Sequence, residues 1–541
     1  MKTSQRWTLV AAIIGSGIVF LDGTIVNIAL PRIGETLPST VFGVLEGQAY
    51  IVSGYLAVLA ALLILGGALA DYYGRRRIFA IGLVGFGAVS VLCGIAPNME
   101  LLVLFRLIQG AAGALLVPGS LSIITATFDG PARARAFGIW AAATSALTPG
   151  GQIIGGILVD TLSWRAAFLI NVPLVLIALW ATLRHMPETR DESASRSFDW
   201  FGAFVGVLAV GGLAFGAIRG QQQSWRDPLA FIALGIGALA LIAFPILMRR
   251  PNALVSLDLF KSRAFAVVNL STFLIYGALY VQLVYSTLLF QGVLGYTALA
   301  SSLAGLPVSI LLTTLSTRVG TLAGRLGSRI FLVVGPILMA LGQLWYVRIA
   351  ATSSAWEAKP AEPASLIPPG SYFVDVLPAI VLFGVGISLV VAPLTSTLMG
   401  SIPTRHAGLG SAINNALSRV GQPLLGAVIF IAVSATFFSS LGSRVSNLDT
   451  TSMDLRAKVS PLNRPAAGVP DDIASASRDA SIDAFHLAAL VTAVLLLGGA
   501  AVNYVGLRAG ADERSEVEGE TRAEAGGETQ RDHQGEPSAV G

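Results

Sequence analysis

The sequence predicts an all-α integral membrane protein, two six-helix bundles with a further pair of helices inserted between them, about fourteen transmembrane helices in all. Three observations predict this. The 541 residues are 54% apolar and only 12% charged, with a mean hydropathy of +0.73, which excludes an ordinary soluble enzyme. Apolar runs long enough to cross a bilayer as helices recur from Leu9 almost to Leu507. The punctuation that closes the second run, Gly67 to Arg77 (GALADYYGRRR), returns as Gly320 to Arg329 (GTLAGRLGSR) at the close of a later run. In both copies a Gly, a Leu-Ala pair and a second Gly fall at the same spacing with a basic residue behind. Such a repeat in so apolar a chain points to a two-halved transporter.

Taken in order, the first run covers 7–30. Lys2 and Arg6 precede it as they would in a signal peptide, but it continues to Pro31 without a small-residue cleavage site, so it reads as an uncleaved span. The second, 47–70, ends on Arg75, Arg76 and Arg77, which mark a cytoplasmic end. Runs at 78–96, 101–124, 136–160 and 166–183 complete an N-terminal half, residues 1–186. The runs at 200–218 and 229–248 lack intramembrane charge and form an inserted linker within 187–264. The second half, 265–507, holds runs at 265–290, 298–319, 330–350, 373–399, 407–437 and 484–507, with a long outside loop at 438–483. From Arg508 the Gly/Glu-rich segment has four Arg against nine Asp or Glu, so 508–541 is expected to be a disordered acidic tail.

The formal charge of +4 therefore divides into −5 for that tail and +9 for the rest. With the N-terminus inside, the inside segments hold 18 Lys or Arg and the short outside loops 6. This asymmetry sets the topology, with both termini cytoplasmic, and is not a nucleic-acid footprint. Arginine greatly outnumbers lysine, which suggests a bacterial source and hence the cytoplasmic (inner) membrane. Cys93 is the single cysteine, and the histidines at 185, 406, 486 and 533 lack metal-ligand spacing, so no metal site is expected. No P-loop, Rossmann fingerprint or HExxH occurs. The chain reads as a non-enzyme with no catalytic residues and no cofactor, driven by an ion gradient or by its substrate's own gradient.

Two charges stand out inside the spans. Asp22 lies about 22 Å from the inner edge and Arg106 about 8 Å from the outer edge, at 1.5 Å per residue. In a hydrocarbon core of about 30 Å these depths coincide. Isolated charges there are costly, so each should face a partner or a watery cavity, the alternatives being an interfacial Asp22 and a snorkelling Arg106. Arg419 is a third candidate, among Asn414, Asn415, Ser418 and Gln422; this polar stripe suits a cavity wall or a helix-holding network. Tyr276, Tyr280, Gln282, Tyr285 and Gln291 suit an apolar pocket with polar anchors, or an interfacial belt. Gly151 and Gly155 make a small-xxx-small face, and Pro149 with Gly150 can bend the fifth span, next to Gly156.

At these residues the chain resembles the major facilitator superfamily, specifically its fourteen-span drug:proton antiporters. Gly67-x-Leu69-Ala70-Asp71-x-x-Gly74-Arg75-Arg76-Arg77 is similar to the superfamily's signature loop between the second and third spans. Leu21-Asp22-x-Thr24-Ile25-Val26-Asn27-Ile28-Ala29-Leu30-Pro31 resembles the first-span motif of the fourteen-span group. Arg106-x-x-Gln109-Gly110 resembles the fourth-span motif whose arginine is associated with proton transfer. Ser163-Trp164-Arg165, Phe168 to Pro173 and Phe198-Asp199-Trp200 are further similarities. In the fifth span Gln152 stands where the family's antiporter motif has proline, with Pro149 one turn earlier, and in the second signature copy Gly324 replaces the acidic residue.

The resemblance implies alternating access by two rocking bundles, coupled to protons through Asp22 and Arg106. It implies a gate at Gly67, Asp71, Gly74, Arg75, Arg76 and Arg77. The candidate substrate cavity takes in Gln109, Tyr276, Tyr280, Gln282, Asn414, Asn415 and Arg419. Export of drugs or amphipathic small molecules is the expected function, with a dedicated exporter of a native metabolite, lipid or peptide as the alternative. The expected partners are the lipid bilayer, a small-molecule substrate and protons, with no nucleic acid; whether an adaptor or periplasmic partner exists stays open.

Overall fold

The computed structural model describes residues 3–128, 130–190, 199–250, 253, 255, 257–351, 353–402 and 407–507. The acidic tail, the 191–198 part of the linker and Arg405 lie outside the described residues. Among the described residues, fourteen long helices carry the fold. They are α1 (Thr3–Thr36), α2 (Val44–Tyr73), α3 (Arg75–Gly94), α4 (Met99–Thr127), α5 (Gly130–Thr161), α6 (Ala166–His185) and α7 (Trp200–Gln222). Then follow α8 (Pro228–Leu247), α9 (Arg263–Leu288), α10 (Ala298–Leu326), α11 (Ser328–Trp345), α12 (Leu377–Gly400), α13 (Ala407–Arg444) and α14 (Asp471–Gly506). Among the described residues thirteen helices are long and apolar enough to cross a membrane; α5, with 32 residues, is a further long helix. An apolar chain in lipid must satisfy its backbone within each segment, and helices do so.

Local chemistry sets several starts. Asn98 accepts from the Leu101 N–H at α4, Ser262 from Phe265 at α9 and Thr297 from Ala300 at α10. At α8, Asp227 accepts from the Leu229 N–H ahead of Pro228 at the first helical position. That bond, followed by the Arg219 side chain, holds the Asp227 carboxyl below its ordinary value. The helices α13 and α14 run beyond their apolar stretches, so the connection between them is 445–470 and not the whole of 438–483. Hydropathy marks only the membrane-length core of a helix. Asp471 and Asp472 in the first turn of α14 suit the positive end of its dipole.

Packing repeats between the two sets of six. Helix α1 packs on α4, α5 and α6, and α3 on α4 and α6, while α2 lies against α4. Correspondingly α9 packs on α12, α13 and α14, and α11 on α12 and α14, while α10 lies against α12. The repeated loop follows the same rule. Gly74 (φ +106°) joins α2 to α3, and Gly327 (φ +87°) joins α10 to α11, both in a region that L side chains rarely adopt. Two residues on from each glycine an arginine ties its loop to the end of another helix. Arg76 Nη2 donates to the Leu183 carbonyl (2.6 Å), and Arg329 Nη2 to the Tyr504 carbonyl (2.6 Å). The carboxylate of Glu188 also accepts from the Arg76 N–H (3.1 Å).

The halves meet along α2–α13 and α5–α10, which exchange under the same repeat. Helices α7 and α8 pack on each other, and α7 lies on α2 and α13. It is anchored where Arg219 meets Glu46 (3.4 Å) and Asp227 (2.9 Å). Among the described residues, the hydrogen bonds and ion pairs between halves gather at the end that carries the α1–α2 loop, opposite the arginine triplet. Gln48 and Asn463 exchange amide bonds (2.8 and 3.0 Å), and the Gln291 amide donates to the Ile28 carbonyl (3.0 Å). The Asp160 carboxylate on α5 accepts the Ala298 and Leu299 N–H groups at the start of α10 (3.1 and 2.8 Å).

Candidate functional site

Asp22 and Arg106 are in contact. Helix α1 presents Asp22 toward α4, and Arg106 Nη1 lies 2.5 Å from Asp22 Oδ2, with both side chains buried. Two further donors reach the other carboxylate oxygen: Gln109 Nε2 at 3.2 Å and Asn171 Nδ2 at 2.9 Å. Gln109 also accepts from Arg106 Nη1 (2.6 Å), and both amides donate to Ser90 Oγ (2.9 and 3.3 Å). The Arg106 Nε reaches the Ile51 carbonyl at 3.3 Å, and its guanidinium stacks 3.9 Å from the Tyr55 ring centre. Five helices, α1 to α4 and α6, thus close around one ion pair. A buried pair holds only when its remaining lone pairs and protons find partners, and here most do.

Gln109 therefore sits in the ion-pair network and not in the cavity wall where it was expected. Arg106 and Gln109, three apart on α4, share a face that points at Asp22. Asn414 is a staple between helices, donating to Asn269 Oδ1 (3.1 Å) and Thr272 Oγ1 (2.9 Å) on α9. Asn415 bonds back to the Ser411 carbonyl one turn earlier (3.0 Å). Gln282 donates to Ser286 one turn on (2.7 Å), leaving its Oε1 without a partner. Tyr276 and Tyr280 sit side by side on α9, ring centres 6.3 Å apart.

Arg419 differs from all of these. It is 5% exposed, and its Nε has no hydrogen-bond partner. Its guanidinium carbon lies 5.6 Å from the ring centre of Phe20 on α1. On α1, Phe20, Gly23, Thr24 and Asn27 form the less buried stripe, and a Cβ on Gly23 would meet nothing within 4 Å.

The glycines of α5 divide by face. A Cβ on Gly151 would press on Leu21 and one on Gly155 on Ile25, so these two form the close α1–α5 contact. Gly156 faces the other half, where a Cβ would lie 2.7 Å from the Leu299 Cα and 3.0 Å from the Ala298 carbonyl oxygen. Gly150 meets open space. Gly67 packs loosely on Pro118. The side chains of Asp71 and Pro149 lie outside the described residues.

With this geometry in place, the family model described as Major Facilitator Superfamily matches residues 12–426. The chain belongs to the Major Facilitator Superfamily. Among its relatives is the multidrug resistance protein Stp of Mycobacterium tuberculosis, 33% identical over 443 residues, covering 81% of this chain and 78% of that protein. The puromycin resistance protein pur8 of Streptomyces alboniger is 31% identical, covering 77% and 80%. Among solved structures, a bacterial homologue of the human lysosomal transporter Spinster, inward-facing and unoccupied, aligns with a TM-score of 0.63 at 17% identity, covering 94% and 97%. The fold is that of a superfamily transporter, a multi-span membrane protein and not an enzyme, and the names of the relatives agree with the resemblance to drug:proton antiporters.

In this superfamily member, sequence reasoning missed Ser90 and Asn171 as parts of the ion-pair network. Ser90 lies in an unbroken apolar run, where one small hydroxyl carries no periodic signal. Asn171 fell within a recognised segment, but its partner stands 149 residues away and is set by packing. Asp160 was also missed. It stands at the end of the fifth apolar run, and its partners, the Ala298 and Leu299 N–H groups, lie 138 and 139 residues away and reach it only through the approach of α10.

Proposed function

We propose that the protein is a proton-coupled secondary active efflux transporter that exports drugs or hydrophobic, amphipathic small molecules by alternating access. The observation that carries this reading is the buried Asp22–Arg106 pair with its closing amides, at the depth where a coupling group would serve both sides. Protonating Asp22 removes the charge that holds Arg106, so the Arg106 guanidinium loses its strongest partner and the balance between two conformations shifts. The names of the resistance proteins among its relatives support a drug-like cargo.

The positive-inside count supports placing the arginine-triplet end in the cytoplasm, with both termini there, in a bacterial cytoplasmic membrane. On that placement the seam of Gln48–Asn463 and Asp160–α10 bonds closes the outer side, and the conformation is inward-facing. Opening outward then requires those bonds to break while the Asp71-to-Arg77 loop engages the opposite half as the inner gate. The drive is the proton gradient, without a cofactor; lipid, substrate and protons are the partners.

The test is export of a fluorescent lipophilic dye from cells, with and without a protonophore, against Arg106→Ala as the inactive control. Uphill export lost under either treatment is the expected result. A well-expressed protein that moves none of several dyes would overturn broad drug export and favour a dedicated native solute.

A further inference from the structure

The unpaired guanidinium of Arg419 goes beyond a coupling site. Among the described residues it forms no ion pair and no hydrogen bond, although 95% of its surface is removed from solvent. Gln422 lies one turn along α13, also 5% exposed, and its Oε1 has no partner. The two side chains share a helix face, being three residues apart. A buried cation without a counter-charge is costly in an apolar surround, and a ring face 5.6 Å away does not replace the lone pairs of an oxyanion. Arg106 shows what saturation looks like in the same core, with a carboxylate, an amide oxygen and a carbonyl around it.

Charge arithmetic points the same way. Asp22, Arg106 and Arg419 all lie within electrostatic reach of Tyr55, and together they sum to +1. A guest with one negative charge neutralises that region, whereas a cationic guest raises it to +2. The location is also apt: Arg419 belongs to the second half and faces Phe20 of the first, between the bundles that must move.

We propose that Arg419, assisted by Gln422, receives an oxyanion of the transported molecule, so that the preferred cargo is an amphipathic organic acid. This rests on the transport reading above and narrows its substrate class. A guanidinium offers a planar fork that fits a carboxylate with two parallel hydrogen bonds, and an amide donor from Gln422 can add a third.

The experiment uses the full chain in lipid nanodiscs and a probe pair of equal shape, 2-naphthoate and 2-naphthamide, with equilibrium binding as the readout. The wild type should bind the acid roughly ten- to a hundred-fold more tightly than the amide, the usual worth of a charge-assisted hydrogen bond. Arg419→Gln should bring the two affinities together, while Arg419→Lys, which keeps the charge but not the fork, should retain part of the preference. Absence of naphthoate binding, equal affinities in the wild type, or a preference that survives Arg419→Gln would overturn the proposal. So would an equal loss of both ligands in both variants, which marks a structural arginine, or loss of uphill coupling with the acid preference intact, which marks a counter-charge for Asp22. Selective binding of the acid without any uphill movement would instead count against the efflux reading alone.

Discussion

Arg106 and Arg419 are the same residue type in the same apolar bundle, one 1% and the other 5% exposed, yet their surroundings are opposite. Arg106 has a carboxylate, a glutamine oxygen, a backbone carbonyl and a stacked ring. Arg419 has one ring at a distance and a hydrogen-bond donor with nothing to meet. Burial alone therefore does not define a role. The charge of Arg106 is met by the protein's own groups, whereas that of Arg419 is, on the proposal above, left for an oxyanion of the cargo.

The largest effect expected from this contrast is on stability. Arg106→Met leaves the Asp22 carboxylate buried without its cation and should cost about 3–5 kcal/mol, most of it recovered by adding Asp22→Leu. Arg419→Met breaks no pair, so its unfolding midpoint in detergent should match or exceed the wild type. Equal losses for the two methionine variants would break the comparison.

Next comes the seam. Gly156→Ala places a methyl group against the α10 backbone and should pry the closed end apart, whereas Gly150→Ala, facing open space, should not. With Cys93→Ser and cysteines introduced for Gln48 and Asn463, cross-linking should fall sharply for the first and stay unchanged for the second. The network around Asp22 should respond less. Asn171→Ala removes two hydrogen bonds and should cost about 1–3 kcal/mol, with Ser90→Ala below it, both read by thermal unfolding. The smallest effect is expected at the exposed Lys458–Asp454 pair, where Lys458→Ala should change stability by less than about 0.5 kcal/mol.

Much of this was legible in the sequence. Helical rise alone put Asp22 and Arg106 at one depth, and the repeated Gly-x-Leu-Ala spacing placed Gly74 and Gly327 at matching turns. Even the tie of Arg76 to α6 has its echo in Arg329 and α14. What stayed illegible depends on which helices become neighbours. Ser90 and Asn171 join Asp22 only because α3 and α6 pack together, and Asn414, for which the sequence left both a cavity wall and a helix-holding network open, becomes a staple because α9 carries Asn269 and Thr272. Hydropathy also ends where polar helix begins, so it could not show α13 and α14 extending to Arg444 and from Asp471.

The most direct test of proton coupling at Asp22 separates movement from coupling. Purified wild type and Asp22→Asn are reconstituted into liposomes, and a transported dye is followed both uphill against its gradient with an imposed pH difference and in equilibrium exchange. Coupling at Asp22 predicts that the variant loses uphill transport while exchange persists, because the pair is broken but the alternating cycle remains. Uphill transport by Asp22→Asn at the wild-type rate would contradict it.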